Sequence, residues 1–316
     1  MDGRAEVSIS LPVAGVIPRP RRRRQHRAWV EPFAYLAPIL ILLSVVMFWP
    51  LLLGLSYAFR SVQLFDLSET DWVGFQHFRD MWHDDAFWGA AVNTVWWTAG
   101  SVILQFVFGF GLALLLNVPF RGRRLVQAVV FVPWAVPTFL SGLAWAWLFN
   151  PMIGPLPHWL VALHILAHPD NILANPTWAL AGPVVANVWF GIPFFAITLL
   201  AALAAIPRDL YEAAEVDGAS AWQRFTRLTL PFLAPTIAIT VMLRTIWIAN
   251  FADLIFVMTG GGPADSTQTL ATLIFSTAYT RVDFGYASAI AAVLLVLLLA
   301  YGSAVLRLRR SLVLTP

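Results

Sequence analysis

The sequence lacks cysteine, and it also lacks lysine, because all 20 of its Lys and Arg residues are arginine. Without cysteine the chain has no disulfide, no thiolate metal ligand and no cysteine nucleophile. A phosphate-binding loop of the GxxxxGK[ST] type needs its lysine to reach the β- and γ-phosphates. This chain therefore has no such loop, and any ATP-driven process in which it takes part requires a different polypeptide.

Charged residues are scarce as well. They make up 12% of the 316 residues, against 59% hydrophobic residues, whereas soluble domains carry about 25% charged residues. This composition predicts an integral membrane protein in contact with lipid. The sequence pI of about 9.7 could indicate nucleic-acid binding, but seven arginines lie within the first 27 residues, beside the first apolar segment. We interpret them as a topology signal and expect no nucleic-acid partner.

Six apolar segments follow the N-terminal tail, and each is long enough to cross a bilayer as a helix. They lie at about 33–59, 88–117, 125–149, 178–206, 230–258 and 284–306. We therefore predict an all-α integral membrane protein, with a mostly disordered, Arg-rich cytoplasmic tail at 1–30 and a six-helix transmembrane domain at 31–316. Pro133, Pro137 and Pro193 are the positions at which kinks are expected.

The arginines also predict the orientation of the chain. With the N-terminus inside, sixteen arginines of the tail, the short loops and the C-terminus face the cytoplasm, and only Arg60, Arg79 and Arg281 face outward. Short cytoplasmic loops carry the excess of arginine in membrane proteins. The distribution therefore predicts a multi-pass protein with both termini in the cytoplasm.

A polar stretch at 207–231 separates two of the apolar segments. Its carboxylates and arginines accompany good helix formers, Gly218 tolerates a left-handed backbone at a helix end, and Ser220 can cap the next helix. The stretch predicts a helix, a turn and a second helix outside the bilayer. Pro231 and Pro235 then mark the return to the membrane.

The residues of this stretch resemble the EAA loop of bacterial ABC importer permeases. The matching pattern is Glu212-Ala213-Ala214, two residues, Asp217-Gly218-Ala219, five residues, Phe225, two residues, Leu228, one residue, Leu230-Pro231, with leucine at 228 where isoleucine is more usual. The resemblance implies a cytoplasmic coupling helix that docks into a groove of a separate ATPase, with ATP and Mg²⁺ bound by the dimer of that ATPase and no cofactor in this chain. The implied contact residues are Glu212, Ala213, Ala214, Asp217, Gly218 and Ala219.

Three further motifs resemble the carbohydrate-importer branch of these permeases: Trp72-Val73-Gly74, Trp145 to Pro151, and Thr259-Gly260-Gly261-Gly262-Pro263. The resemblance covers about residues 30–310 and is to the subunit that pairs with a second, different permease, as in the maltose and glycerol-3-phosphate systems. It implies a bacterial inner-membrane subunit that forms half of the pathway for a sugar or sugar-like solute. An extracytoplasmic solute-binding protein would deliver that solute, and the chain itself would catalyse no covalent chemistry.

Polar residues inside the apolar segments indicate where a solute could pass, because they are costly in lipid and usually face the bundle interior or a watery cavity. Aromatic faces can stack on sugar rings, while amides and carboxylates bond hydroxyl groups. Polar packing between helices is an equally open alternative. The candidate pathway residues are Asn187, Trp189, Trp247, Asn250 and Asp253.

Arg244 also lies in the fifth apolar segment. If that segment is one straight helix, Arg244 and Asp253 are nine residues apart and lie on opposite sides of it. Each then needs a partner elsewhere, and for Arg244 we favour a structural or gating ion pair over contact with substrate, which stays open as the alternative.

Two other classes of function are considered. His164 and His168 are four residues apart, but no third ligand is suitably spaced, so no metal site is expected. The intramembrane segments carry no paired carboxylates and no nucleophile with a base, which argues against an enzyme. A stand-alone secondary transporter or channel stays open as the alternative, although it would leave the polar stretch without a purpose.

Overall fold

The computed structural model describes residues 35–63 and 66–313. The predicted tail at 1–30 lies outside these residues. The chain divides into two compact units between Leu53 and Gly54. The described part of the first unit belongs to helix α1, Tyr35–Tyr57, which has 23 residues. It contains a wide turn, that is, a π-helical turn, at Ser44–Phe48. Its length and apolar composition are those of a helix that spans a bilayer.

A short hairpin and a helix follow α1, and the hairpin was not predicted. Strand β1 (Arg60–Gln63) pairs antiparallel with β2 (Asp66–Trp72), and α2 (Gln76–Trp82) comes next. An isolated two-stranded hairpin is marginally stable. Here Phe59 stacks on Trp72 with ring centroids 5.7 Å apart, so packing on neighbouring aromatic rings supports strands that have no clear apolar alternation.

The rest of the described chain is helical. The helices are α3 (Asp85–Asn117), α4 (Arg123–Ala135), α5 (Thr138–Leu148), α6 (Pro155–Ala162), α7 (Ala181–Ala204), α8 (Arg208–Val216), α9 (Ala221–Ala249), α10 (Asp253–Met258), α11 (Leu270–Tyr279) and α12 (Phe284–Val313), with a 3₁₀ turn at Ile172–Ala174. Within the described residues α1, α3, α7, α9 and α12 are long and apolar enough to cross a membrane, and α4 with α5 make a sixth span if the bent pair counts as one. The predicted all-α membrane fold is confirmed, with five spans in the described residues or, if the bent pair is one, the six that were predicted.

The third predicted span is not a single helix. α4 and α5 meet at 92°, and Val136 between them has an extended backbone with ψ of 128°. Pro137 causes this break, because a proline disfavours the helical conformation of the residue before it. Pro133 and Pro193, the other expected kink sites, lie inside α4 and α7 without ending them.

The fifth predicted span, at 230–258, is also interrupted. α9 ends at Ala249, and α10 begins only at Asp253. The Nδ2 atom of Asn250 donates a hydrogen bond of 2.9 Å to the carbonyl of Ile246. Asparagine side chains compete in this way with the backbone bonds that would continue a helix, so the end of α9 has a local cause.

Two apolar clusters hold the second unit together. In the larger one α3 packs along α7, and its fully buried side chains include Trp97, Phe195 and Leu199. Trp97 also donates from its indole Nε1 to the carbonyl of Ile248 at 3.0 Å, which ties α3 to α9. The smaller cluster joins α2, α3, α11 and α12. The larger cluster therefore sets the positions of α3, α7 and α9, the helices that carry the polar intramembrane residues.

Candidate functional site

The polar stretch forms the helix and turn that its sequence predicts. α8 ends at Val216, and Gly218 has a φ of +76°. The N–H of Gly218 donates to the carbonyl of Glu215 at 3.0 Å, and the N–H of Ala219 donates to that of Ala214 at 2.9 Å. These two hydrogen bonds form a Schellman motif at the end of α8. The residue just past the helix end, here Gly218, takes the left-handed conformation in this motif.

Ser220 then starts α9 with a capping box. Its Oγ accepts from the N–H of Gln223 at 3.3 Å, and the Oε1 of Gln223 accepts from the N–H of Ser220 at 2.8 Å. α9 continues without a break through a wide turn at Phe225–Thr229 and past Pro231 and Pro235. A wide turn can accommodate the missing N–H of a following proline, so the prolines do not separate the polar stretch from the membrane span.

Two side-chain contacts attach α8 to α9, and sequence reasoning missed both. Nη1 of Arg224 lies 2.8 Å from Oε2 of Glu215. The hydroxyl of Tyr211 lies 2.9 Å from Oγ1 of Thr229. Opposite charges on either side of the predicted turn could have suggested the first contact, whereas nothing in the sequence pairs Tyr211 with Thr229. The two contacts brace α8 against the start of α9.

We call the six predicted contact residues, 212–214 and 217–219, the coupling surface. Most of this surface is exposed, and the apolar side chains of Val216 and Trp222 beside it are 87% and 70% exposed. Exposed apolar side chains next to polar ones are typical of a surface that binds another protein. A cavity of about 390 Å³ opens here, lined by Ala214, Asp217, Gly218, Ala219, Gln223, Arg224, Arg227 and Leu228.

Inside the helix bundle, Gln105, Asn187 and Arg244 form what we call the polar node. Nε of Arg244 donates to Oε1 of Gln105 at 2.7 Å, and Nε2 of Gln105 donates to the backbone carbonyl of Asn187 at 2.8 Å. All three residues are buried. Gly191 allows the approach, because a Cβ there would overlap the Gln105 amide. The polar node connects α3, α7 and α9.

Aromatic rings cover the guanidinium group of Arg244. Its Cζ atom lies 5.9 Å, 5.8 Å and 5.5 Å from the ring centroids of Phe190, Phe194 and Trp247. The ring of Trp247 also lies 6.2 Å from that of Trp134 in α4. Trp247 is 49% exposed, so this predicted pathway residue sits at the boundary between the polar node and open space.

Asn187 belongs to the polar node, and the other three predicted pathway residues have partners elsewhere in the bundle. Trp189 packs on Trp145 of α5, with ring centroids 6.0 Å apart. Asp253 accepts a hydrogen bond of 3.1 Å from Oγ1 of Thr138, at the start of α5. Asn250 bonds its own helix and borders a cavity of about 210 Å³ between α9, α11 and α12. The predicted pathway residues therefore have several different sets of partners and do not form one contact cluster.

The expectation of an ion pair at Arg244 is wrong for the part of the chain that the structure describes. The partner of Arg244 is the neutral amide of Gln105, and the partner of Asp253 is a threonine hydroxyl. The argument that Arg244 and Asp253 lie on opposite sides of one straight helix also fails, because α9 ends between these two residues. Sequence analysis could have identified Gln105 as a candidate, because it is a polar amide within an apolar segment.

The His164 and His168 pair does not form a shared helical face. α6 ends at Ala162, and His164 has a φ of 60°. His168 lies 3.0 Å from an oxygen of Asp170 on an exposed loop. Between residues 35 and 313, leaving out the gap at 64–65, no three His, Asp or Glu side chains are grouped so that they could hold a metal ion.

Comparison with known proteins identifies transport permeases that are similar to this chain along most of its length. Residues 105–312 match the family described as binding-protein-dependent transport system inner membrane component. The chain is 37% identical over 277 residues to the sulfoquinovosyl glycerol transport system permease protein of Agrobacterium fabrum, covering 87% of this chain and 89% of the relative. It is 38% identical over 244 residues to the trehalose/maltose transport system permease protein of Thermococcus litoralis, covering 77% and 82%.

A solved structure resembles the fold along most of the chain. It is a bacterial ABC transporter involved in the import of the acidic polysaccharide alginate, with 26% identity, a TM-score of 0.78, and coverage of 93% of this chain and 99% of that one. A second crystal structure of an alginate ABC transporter contains a pentasaccharide-bound periplasmic protein and matches with a TM-score of 0.76. These proteins are ABC permeases or transporters, which favours that class over a stand-alone transporter.

Proposed function

The chain belongs to the family of binding-protein-dependent transport system inner membrane components, and from this premise we propose that it forms half of the membrane pathway through which an ATP-driven importer carries a saccharide. It is a transport subunit and not an enzyme, and a separate subunit hydrolyses ATP. The observation that carries the proposal is the coupling surface. It is exposed, and it is braced to α9, the same helix that bears Arg244 and Trp247.

The cargo is a sugar or sugar conjugate. The relatives are named for sulfoquinovosyl glycerol, for trehalose and maltose, and for alginate. The aromatic rings of Trp134, Phe194 and Trp247 support this class, because they lie together at a partly exposed place in the helix bundle. Flat aromatic faces suit the apolar faces of sugar rings.

Two soluble partners act at opposite ends of the spans. A dimeric cytoplasmic ATPase docks on the coupling surface and binds the ATP and Mg²⁺, since this chain has no lysine for a phosphate loop. An extracytoplasmic solute-binding protein delivers the cargo at the other end. The alginate transporter, solved with a periplasmic protein, supports the second partner.

A second, different permease subunit completes the pathway. Trp247 is half exposed, and Trp134 beside it is not buried, although both lie in apolar spans. A surface of this kind can line a passage shared with another subunit. Glu212, Ala213, Ala214, Asp217, Gly218 and Ala219 remain the proposed ATPase contacts, and Trp247 is the pathway residue that the geometry supports best.

Both termini lie in the cytoplasm of a bacterium, and the protein is embedded in the inner membrane. The arginine distribution supports this orientation. Reporter fusions test it: a reporter that is active only outside the membrane is expected to be active at Asp170 and inactive after Pro316. The reverse pattern at either position would contradict the proposed orientation.

The proposed function is tested by reconstitution. The chain, the second permease and the ATPase encoded beside it are placed in proteoliposomes with the matching binding protein, after that protein has been screened against saccharides. ATP-dependent uptake of the bound saccharide is expected, and it should require every subunit. Uptake by this chain alone without the ATPase would instead establish the stand-alone transporter.

A further inference from the structure

Arg244 is a cation whose charge is not balanced by a carboxylate within the described part of the chain. It is 2% exposed, and its Nε donates to a neutral amide oxygen. The ion pairs that the described residues form are His168 with Asp170, on an exposed loop, and Arg224 with Glu215, between α8 and α9. Arginine stays protonated in proteins, and a charge inside a membrane span is costly unless it is neutralised.

The surroundings of Arg244 stabilise the cation only in part. Phe190, Phe194 and Trp247 present ring faces within 5.9 Å of its Cζ atom, and such faces attract a cation. The rings offer no oxygen lone pairs, however, so they do not satisfy the remaining N–H donors. A guanidinium group presents these donors as a planar fork that matches a carboxylate or a phosphate-like oxyanion.

Arg244 lies where cargo could reach it after a small movement. Of the rings that cover the guanidinium, Phe190 is buried, Phe194 is half-buried and Trp247 is 49% exposed. The indole of Trp247 is therefore the part of the cover with free space beside it. If this indole turns away from Arg244, the guanidinium faces that space and an aromatic surface remains next to it.

We infer that the cargo carries an anionic group, a carboxylate or a phosphate-like oxyanion, which displaces the Trp247 indole and binds the guanidinium of Arg244. The saccharide ring then lies against Trp134 and Trp247. Gln105 holds Arg244 through its Nε and leaves the outer N–H groups for the anion. This inference rests on the proposed import function and narrows its cargo from saccharides in general to acidic ones.

A direct binding experiment tests the inference without the selectivity of the binding protein. The two permease subunits and the ATPase are purified together in detergent micelles without the binding protein. Saturation-transfer NMR is recorded with methyl β-glucuronide, which carries a carboxylate, and with its neutral analogue methyl β-glucoside. We expect the glucuronide signal to exceed the glucoside signal at least threefold. Arg244→Gln should abolish this preference, and Arg244→Lys should retain part of it because the charge is kept.

Controls separate a binding role from a structural one. Each variant is checked for assembly by size exclusion, and Gln105→Met serves as a second variant that loosens Arg244 without removing its charge; it should weaken glucuronide binding several-fold. Equal signals from the two probes, no signal from either, or an unchanged preference in Arg244→Gln would overturn the inference. The inference would also be overturned if the importer takes up a neutral saccharide with ATP and Arg244→Gln leaves this uptake unchanged. In that case the proposed function would stand. Absence of any ATP-dependent saccharide uptake would refute the proposed function itself.

Discussion

The helix core and the coupling surface use glycine for opposite reasons. Gly109 of α3 lies so close to α7 that a Cβ at that position would be 2.5 Å from the Cβ of Phe195. Gly218 has no atom within 4 Å of the position of a Cβ, but its φ is +76°. The chain's own packing therefore requires glycine in the core. At the coupling surface the backbone requires it, and the space beside it is open.

This contrast separates two kinds of constraint on the sequence. A change in the core should alter folding whether or not partners are present. A change at the coupling surface should leave the isolated chain folded and alter only what the assembled importer does. Each kind of site has a matched control: Gly111 is a second glycine of α3 with open space beside it, and Gly122 is a second left-handed glycine with open space, located between α3 and α4.

The largest effect is expected for Gly109→Ala. The added methyl group would press on Phe195 and on the carbonyl of Ile192, 3.0 Å away, and overpacking of this kind costs about 1–3 kcal/mol of folding stability. Thermal unfolding of the purified chain, followed by fluorescence-detected size exclusion, should show a clear drop in the midpoint. Gly111→Ala should be neutral or slightly stabilising, and equal losses in the two variants would refute the packing argument.

Gly218→Val should insert and fold but lose ATPase binding, or uncouple hydrolysis from uptake. The valine would strain the left-handed backbone by about 1 kcal/mol or more and would add bulk at the proposed contact. Pull-down of the ATPase and stimulation of hydrolysis by the binding protein in proteoliposomes measure the loss.

Gly122→Val is the control for this prediction, because its φ of +85° imposes the same kind of backbone strain. It should bind the ATPase normally. Glu212→Ala should give a partial loss of coupling. If Gly218→Val retained ATPase binding, stimulation and uptake in full, the coupling surface would have no part in the mechanism.

Trp247→Ala should lower uptake while the complex still assembles. Loss of the stacking contact is expected to weaken the interaction with cargo by about 1–3 kcal/mol. Trp96→Ala is the matched control, because Trp96 is 68% exposed on α3 and has no role in the proposed pathway. Uptake rates from proteoliposomes decide the matter, and similar losses in both variants would assign Trp247 to general packing.

The smallest effect is expected for Asn250→Ala, although Asn250 was predicted to line the pathway. Its Nδ2 atom bonds the carbonyl of Ile246 in its own helix, so the variant should lose about 0.5–1.5 kcal/mol of stability and little transport. Uptake and thermal unfolding are measured together. A loss of uptake as large as that of Trp247→Ala would support the prediction that Asn250 lines the pathway.

Local signals in the sequence account for much of the fold. Composition and segment length predicted six apolar spans, and Gly218 followed by Ser220 predicted the turn between α8 and α9. Each of these features depends on residues that are close together in the chain. The breaks within the third and fifth spans were harder to predict, because the extended Val136 before Pro137 and the side-chain bond of Asn250 interrupt long apolar runs.

The polar node could not be predicted from spacing. Gln105 and Arg244 are 139 residues apart, and their contact depends on how α3, α7 and α9 pack. The sequence identified Arg244 as a residue in need of a partner but suggested an acid, since an acid is the usual partner of a buried cation. The structure supplies an amide and aromatic rings instead, which packing geometry alone reveals.

The continuity of α9 has a mechanical consequence. One helix begins at the capping box beside the coupling surface and reaches the polar node, so it can act as a lever between the two places. Its 29 residues make a rod about 43 Å long, and tilting it by about 5° about one end would carry the other end through about 4 Å. Such a rod could flex at two irregularities, the wide turn at Phe225–Thr229 near the coupling surface and Pro235 nearer the polar node. A displacement of the coupling surface by the proposed ATPase would therefore move Arg244 and Trp247 through a tilt of α9.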